Sequence, residues 1–436
     1  MTQVQDKVRI RGDIAAMEAY TPTSSLEVFA ERLGVPVDQL IKLDANENPY
    51  GPSPFTRAAL AALEYAHIYP DPEASNLRAK LSAYVGVSTD HILAGAGADE
   101  LIELILQLFI EPGDTIINTP PTFSMYGFDA PLAFARVANV ERRADFSLDV
   151  DAIRDAARET NAKLLFLCSP NNPDGSLIPQ DVLESLLDLP LVVVLDEAYI
   201  EFSGAASMAP RVPDTDNLIV LRTFSKWAGL AGLRVGYGIF PPAIIAHLWK
   251  IKQPYNLNVA ADVAARAALD DLPTLQANVQ RLIQARERLE TKLAKFPFLE
   301  PYPSHSNFVL CKVKTITAHQ LKQALAQRGI VIRYYDKPRM RDHVRISAGT
   351  PEQVDKLLAT LQEIGSTKAW PFDYVQLTVD VQANKQLIPK GTYGAITDVY
   401  VYPQEAYNVD VTGPEGMDNV TVLPHQIEVI KQFRGG

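Results

Sequence analysis

The feature that most constrains the fold is a series of short apolar runs that alternate with helical segments between residues 55 and 365. The runs are continuously apolar and rich in β-branched residues, which is typical of strands covered on both faces. They are Thr115–Asn118, Lys163–Cys168, Leu191–Leu195, Leu218–Leu221 and Val235–Phe240. Helical periodicity lies between several of them. The pattern predicts a large α/β domain with a mostly parallel sheet.

Two changes in the pattern divide the chain further. After Lys252, a long charged helical region precedes three short strand-like runs, which predicts a smaller α+β domain. From Trp370 onward, runs rich in Tyr, Val and Thr are separated by Gly, Pro and Asn, which predicts an all-β appendix shaped like a small barrel. We therefore expect an N-terminal arm joining the small domain, a large domain, a small domain and an appendix at residues 1–45, 46–270, 271–368 and 371–436.

Composition and charge exclude several classes of function. The 436 residues carry a net charge of -11 at pH 7, whereas a nucleic-acid-binding surface needs a basic footprint. The longest apolar stretch, Leu101–Ile110, is too short for a bilayer, which takes about 20 apolar residues. The N-terminus has no signal-peptide core. Cys168 and Cys311 lie in apolar runs and are interpreted as strand-core thiols. We expect a soluble cytoplasmic protein without a metal centre, a nucleic-acid partner or a membrane partner.

The most informative segment is Thr223–Tyr237, which follows a buried run and contains Lys226. A lysine that links covalently to an aldehyde cofactor needs a desolvated, positioned amine. Hydroxyls from Thr223 and Ser225 and the guanidinium of Arg234 suit a cofactor phosphate. A Ser-Lys pair alone is most often a solvated surface pair. The whole ordered segment favours the cofactor hypothesis.

Three further candidates lie at or just beyond the ends of neighbouring apolar runs. Asp196 ends one run, where a carboxylate can pair with a pyridinium nitrogen and keep the ring an electron acceptor. Tyr199, three residues on, is a candidate for the phenolic oxygen of the ring. Asn172, which Pro173 keeps extended, is a second candidate for that oxygen. Taken alone, Asp196 would be an ordinary N-cap and Asn172 part of a plain Pro/Asn/Gly loop.

A glycine-rich segment opens the predicted helix Leu101–Phe109. Free backbone N–H groups at a helix N-terminus bind phosphate. The candidates for these contacts are Gly97, Ala98 and Asp99. The alternative for Asp99 is a simple N-cap. Downstream, Phe123 is a candidate to stack on the cofactor ring and Tyr126 to line the substrate site, with core packing as the alternative for both.

Taken in order, these elements resemble the fold-type I pyridoxal-phosphate aminotransferases over roughly residues 10 to 365, and within them the histidinol-phosphate aminotransferase family. The segments that carry the closer similarity are Leu43–Gly51, Tyr69–Asp71, Phe224–Lys226, Gly229–Arg234 and Lys252–Asn258. The resemblance implies pyridoxal 5'-phosphate as cofactor, with Lys226, Asp196, Tyr199 and Asn172 as catalytic residues. It also implies a large mostly parallel-sheet domain and a smaller α+β domain, to which this chain adds its all-β appendix.

The resemblance implies further roles that spacing alone does not. Tyr69 would reach the cofactor phosphate of the neighbouring subunit in a homodimer with shared active sites. Arg345 would hold a substrate carboxylate, and Arg333 a substrate phosphate together with Tyr20. Asn46 would lie close to the substrate. From spacing alone, both arginines would be ordinary surface or structural charges.

The implied reaction is transamination between L-histidinol phosphate and 2-oxoglutarate in histidine biosynthesis. The alternatives are an aromatic-amino-acid aminotransferase, a pyridoxal-phosphate-dependent decarboxylase of an amino-acid phosphate and, less favoured, a non-catalytic regulator on the same fold. The sequence departs from the family at Asp174, where Thr is usual, and at Trp227 and Ala228. The carboxylate of Asp174 would either alter the electrostatics beside the cofactor or face solvent. The tail beyond Trp370 lies outside the family pattern.

Overall fold

The computed structural model describes residues 9–19, 24–384, 386–400 and 405–433. The helices in these ranges are α1 (Gly12–Ala16), α2 (Leu26–Leu33), α3 (Pro54–Ala61), α4 (Ser75–Val85), α5 (Gly97–Phe109), α6 (Met125–Leu132), α7 (Val150–Thr160), α8 (Gln180–Leu186), α9 (Pro242–Ile251), α10 (Val259–Asp270), α11 (Leu272–Leu293), α12 (Ala318–Ala326) and α13 (Pro351–Ser366). None of the helices in the described ranges is both long and apolar enough to cross a membrane.

A seven-stranded sheet forms the large domain, in the order β2-β8-β7-β6-β5-β3-β4. Its strands are β2 (Ile92–Gly95), β3 (Thr115–Asn118), β4 (Arg136–Asn139), β5 (Leu164–Cys168), β6 (Val192–Asp196), β7 (Leu218–Thr223) and β8 (Gly236–Ile239). All run in one direction except β8, which is antiparallel to both of its neighbours. The predicted mostly parallel sheet is confirmed, and the carboxyl ends of its parallel strands meet at one edge.

The continuous apolar runs form this sheet because both of its faces are covered. On one face, Phe166 and Val194 pack with residues of α5, α6 and α9. On the other, Leu165 and Leu195 belong to a larger core that continues into the small domain. Cys168 lies buried in β5 and Cys311 lies buried in a strand of the small domain, both as free thiols, as predicted.

A five-stranded sheet forms the small domain, in the order β1-β11-β12-β10-β9. Its strands are β1 (Ile41–Leu43), β9 (Leu299–Pro301), β10 (Phe308–Val313), β11 (Ile330–Tyr334) and β12 (His343–Ser347). The N-terminal part of the chain contributes β1, which pairs in parallel with β11 from Ile41 opposite Ile330. The sheet therefore joins two segments that are distant in sequence.

The appendix is all-β, as predicted. Its strands are β13 (Tyr374–Leu377), β14 (Val381–Gln382), β15 (Leu387–Ile388), β16 (Tyr393–Tyr400), β17 (Ala406–Gly413), β18 (Gly416–Val422) and β19 (Ile427–Lys431). Five of them form an antiparallel sheet in the order β18-β17-β16-β13-β19, and β14 pairs with β15. The appendix has its own core, which includes Val375, Tyr407, Val409 and Val420.

Candidate active site

Lys226 lies just beyond the carboxyl end of β7, among the residues that carry the predicted cofactor chemistry. Its side chain is partly buried, and Nζ donates a hydrogen bond to the carbonyl oxygen of Ala45 at 3.1 Å. Desolvation and, to a smaller extent, the positive charge of Arg345 lower the pKa of Lys226 to about 8. A lowered pKa leaves part of the amine neutral near neutral pH, as a nucleophile or a general base requires.

Asp196 ends β6 and lies opposite Leu221 of the neighbouring strand β7, two residues before Thr223. Its side chain is buried, Oδ2 accepts a hydrogen bond from Tyr126 Oη at 2.6 Å, and Oδ1 accepts one from the N–H of Ala198 at 2.9 Å. Burial raises the pKa of Asp196 to about 6, although the bond from Tyr126 opposes this shift. The carboxylate thus prefers a cationic partner.

Tyr199 and Asn46 join the large domain to the small one. Asn46 Nδ2 donates to Tyr199 Oη at 3.0 Å. Ser347 Oγ in turn donates to Asn46 Oδ1 at 2.9 Å and accepts from the N–H of Asn46 at 2.9 Å. Asn46 has a left-handed backbone with φ of 56°, which these bonds hold in place. Burial raises the pKa of Tyr199 above its ordinary value, so its hydroxyl stays protonated.

Arg345 lies in β12, two residues before Ser347. Nη1 donates to Asn172 Oδ1 at 2.5 Å, and Nη2 donates to the carbonyl oxygen of Asp44 at 2.7 Å. Nε of Arg345 is buried and has no hydrogen-bond partner among the residues that the structure describes. Arg333, in β11, lies directly opposite Arg345 in the strand register. Two guanidinium groups on neighbouring strands suit a substrate with carboxylate and phosphate groups.

The predicted phosphate-binding residues converge at the start of α5. Thr223 Oγ1 donates to Ser225 Oγ at 3.0 Å, and Arg234 Nη1 donates to Ser225 Oγ at 3.4 Å. Arg234 Nη2 also bonds Asp99 Oδ2 at 2.9 Å. At Gly97, where φ is +84°, an added Cβ would lie 2.7 Å from Arg234 Nη2, so only glycine leaves this space open. Gly97 and Ala98 begin α5, where backbone N–H groups favour an anion.

Of the remaining predicted residues, Phe123 is partly buried and makes an edge contact with Tyr126, with 5.5 Å between ring centroids. Tyr126 is fully buried with its hydroxyl on Asp196, and its predicted substrate contact stays a prediction. Tyr69 is 76% exposed and stacks on Tyr255 at 4.4 Å. Tyr20 lies outside the described residues.

Asp174 does not face solvent. It is buried, and its carboxylate accepts hydrogen bonds from Asn171 Nδ2 and, at 2.9 Å, from the N–H of Ser176. Asn171 also bonds Thr122 at 2.8 Å, so Asp174 ties the loop of Asn172 to the loop that precedes Phe123. The solvent-facing alternative was therefore wrong, because the turn needs an acceptor for these donors.

Sequence reasoning missed several residues that build the small-domain part of the site. The backbone carbonyls of Asp44 and Ala45 accept from Arg345 and Lys226. Ser347 holds Asn46, and Asn307 Nδ2 donates to the carbonyl oxygen of Asn46 at 2.9 Å. Backbone carbonyls leave no mark in a sequence. The signal that could have found Ser347 is its position two residues after Arg345, on the same face of the strand.

The donor set fits pyridoxal 5'-phosphate. Lys226 offers an amine with a lowered pKa, Asp196 a buried carboxylate, and Ser225, Thr223 and Arg234 a phosphate cradle that Gly97 keeps open. In the described part of the chain, no group of three or more His, Cys, Asp or Glu side chains is placed to hold a metal ion. The fold and this site define a pyridoxal-phosphate-dependent transferase.

The comparisons with known proteins agree. The family model described as aminotransferase class I and II matches residues 38–361. The chain is 52% identical to histidinol-phosphate aminotransferase of Roseiflexus castenholzii, over 81% of this chain and 98% of that protein. It is 50% identical to the chloroplastic histidinol-phosphate aminotransferase of Nicotiana tabacum, over 82% of this chain and 88% of that protein.

A solved structure extends the comparison to the fold. The histidinol-phosphate aminotransferase of Sinorhizobium meliloti, in complex with pyridoxal-5'-phosphate, superposes with a TM-score of 0.75 at 28% identity, covering 82% of this chain and 97% of that one. This chain belongs to the class I and II aminotransferases and, within them, to the histidinol-phosphate aminotransferase family. It is a pyridoxal-phosphate-dependent aminotransferase.

Proposed function

We propose that this enzyme transfers an amino group between L-histidinol phosphate and 2-oxoglutarate, giving imidazole-acetol phosphate and glutamate, in histidine biosynthesis. The observation that carries the proposal is the pairing of Arg333 with Arg345 on neighbouring strands, beside the hydrogen-bonded groups that hold Lys226. The relatives that are 50–52% identical bear the name of this activity.

Each residue has a task that follows from its chemistry. When bound, the cofactor accepts the electron pair that is released at the substrate Cα. Lys226 Nζ would take the proton from that carbon and deliver it to the cofactor carbon that keeps the amino group, and it would reverse this transfer in the other half of the cycle. Asp196 would hold the ring nitrogen in its protonated form, and the Tyr199 hydroxyl would donate to the ring oxygen. Arg345 binds the substrate carboxylate of glutamate or 2-oxoglutarate, and Arg333 binds the phosphate of histidinol phosphate.

The proposed assembly is a cytoplasmic homodimer in which each subunit completes the partner's site. Tyr69 supports this proposal because its ring is 76% exposed while it stacks on Tyr255. An aromatic side chain that is held in place yet exposed is suited to contact a neighbouring subunit. We assign Tyr69 to the cofactor phosphate of that subunit.

A single-turnover experiment tests the proposed reaction. The holoenzyme is mixed in turn with histidinol phosphate, glutamate and phenylalanine, and the absorbance of the lysine-linked cofactor is followed. We expect rapid conversion to the aminated cofactor by the first two. Arg333→Gln should slow conversion by histidinol phosphate roughly tenfold or more, because a charged hydrogen bond is lost, while glutamate reacts normally. Faster conversion by phenylalanine would indicate an aromatic aminotransferase, and release of carbon dioxide a decarboxylase.

A further inference from the structure

A buried cluster of charges lies behind the cofactor site and takes no part in the reaction described above. Arg222 Nη2 contacts Glu201 Oε1 at 2.6 Å, and Nη1 lies 3.7 Å from Glu197 Oε2. The three side chains are 7%, 10% and 2% exposed, respectively. Glu197 also accepts from the N–H of Met208 at 2.7 Å and from Ser207.

The cluster is joined covalently to the strand ends that carry the cofactor residues. Glu197 directly follows Asp196, and Arg222 directly precedes Thr223. The N–H of Glu197 donates to the carbonyl oxygen of Leu221 at 2.9 Å, which couples the two chain segments. Because successive side chains along a strand point to opposite faces, Arg222 occupies the face opposite Thr223.

A second connection leads from the cluster to the lysine. Tyr84 Oη donates to Glu201 at 3.5 Å, and the ring of Tyr84 stacks on Trp227 with 5.4 Å between centroids and 12° between planes. Trp227 is 1% exposed and directly follows Lys226. The cluster therefore contacts the chain on both sides of the site, next to the carboxylate and next to the amine.

Stability alone does not account for such a cluster. Apolar side chains of similar volume often stabilise a core as well as a buried ion pair does, whereas removing one partner is costly. Charged side chains with fixed hydrogen-bond geometry can, in addition, define the relative position of the segments that they join. We propose that Arg222, with Glu197 and Glu201, is a positioning residue that fixes the spacing between Asp196 and Lys226.

The experiment measures the bound cofactor without any substrate. The absorbance of the lysine-linked cofactor is titrated with pH in the holoenzyme and in Arg222→Met, Arg222→Lys and Glu201→Gln. Two controls accompany them. Glu184→Gln breaks a surface pair with Arg211, and Leu293→Ala opens a cavity at a fully buried position of α11. The first control tests for a general charge effect and the second for a general loss of stability.

If the cluster positions the site, the midpoint of the titration should rise by about half a pH unit or more in Arg222→Met. Arg222→Lys, which keeps the charge, should show only part of this rise. Glu201→Gln should also raise the midpoint, by less than Arg222→Met. The charges with the largest effect on the pKa of the free Lys226 amine belong to Arg345, Glu47, Asp99 and Arg234, and none of these residues is in the cluster. The kcat should fall roughly tenfold with KM little changed, because a misplacement of 1 Å can cost on the order of 100-fold.

Midpoints that stay at the wild-type value in Arg222→Lys and Glu201→Gln would overturn the proposal. So would an equal shift in Leu293→Ala at the same loss of stability. If Arg222→Met does not fold, the other two variants decide. The inference rests on the cofactor site and not on the proposed substrate. The titration uses no substrate, so its outcome can be read even if the holoenzyme proves inactive toward histidinol phosphate.

Discussion

The two halves of the active site are built in different ways. The large-sheet half consists of Asn172, Asp196, Thr223 and Lys226, which follow or end parallel strands at one edge of the sheet. The small-sheet half consists of Asn46, Arg333, Arg345 and Ser347, which lie in or beside β1, β11 and β12. The positions of the residues in the first half follow from local sequence segments and from the common direction of the parallel strands. The second depends on hydrogen bonds between residues 301 positions apart in the sequence.

The two halves also have different proposed roles in the reaction. The large-sheet half is held by a continuous hydrogen-bonded sheet and contains the groups that we propose to act on the cofactor. At the site, hydrogen bonds from Arg345 to Asn172 and from Asn46 to Tyr199 join the small-sheet half to it, and one apolar core runs through both domains. Substrate recognition is proposed for the small-sheet half, through Arg333 and Arg345. Variants on each side should therefore fail in different ways.

The largest effect is expected in the large-sheet half, from Lys226→Ala. Turnover should fall on the order of 1000-fold or more, because the covalent attachment and the proton-transferring amine disappear together. The cofactor absorbance of the purified variant should lose its lysine-linked band, while far-ultraviolet circular dichroism stays unchanged. Lys42→Ala is a suitable comparison for the loss of a lysine side chain. Lys42 lies in β1 and pairs with Asp44 and Glu47. If Lys226→Ala kept normal turnover, the assignment of the lysine would be wrong.

The contrast explains how far the sequence could predict the structure. The apolar runs predicted the strands of the large sheet, and one rule about strand ends then brought Asp196 and Lys226 together. No such rule places Asn46 against Ser347, because that contact requires β1 to join a sheet formed almost 300 residues later. The roles of Arg333 and Arg345 came only from family resemblance. The buried position of Asp174 depends on hydrogen bonds that its sequence context does not reveal.

Arg345→Gln tests whether the two halves communicate electrostatically. After desolvation, the charge of Arg345 is the largest influence that lowers the pKa of Lys226 to about 8. Without this charge the pKa of Lys226 should rise, so that less of the amine is neutral at pH 8. The rate at which cofactor-free protein attaches pyridoxal phosphate should then increase with pH over a range shifted upward from that of the wild type. Stopped-flow absorbance across pH 6 to 10 measures this shift.

The same variant should weaken use of glutamate, with kcat/KM lowered about 10- to 100-fold by the loss of a charged hydrogen-bond donor. Arg341→Gln is a matched control, since this arginine pairs with Asp336 on the surface of the same domain. An unchanged pH profile together with lost glutamate activity would mean that the two halves act independently. An unchanged profile and unchanged activity would remove Arg345 from the site.

The smallest effect is expected from removal of the appendix, which belongs to neither half. It has its own core and meets the small domain near Trp370 and through the bond from Gln320 Nε2 to the carbonyl oxygen of Pro371 at 3.1 Å. We predict that a chain ending at Thr367 folds and keeps kcat and KM within about twofold, as expected for a separate domain. Its thermal midpoint should drop slightly, because Trp370 no longer packs on the core. A selective rise in KM for histidinol phosphate would instead show that the appendix supports the small-sheet half, since Arg333 lies in the sheet that α12 covers.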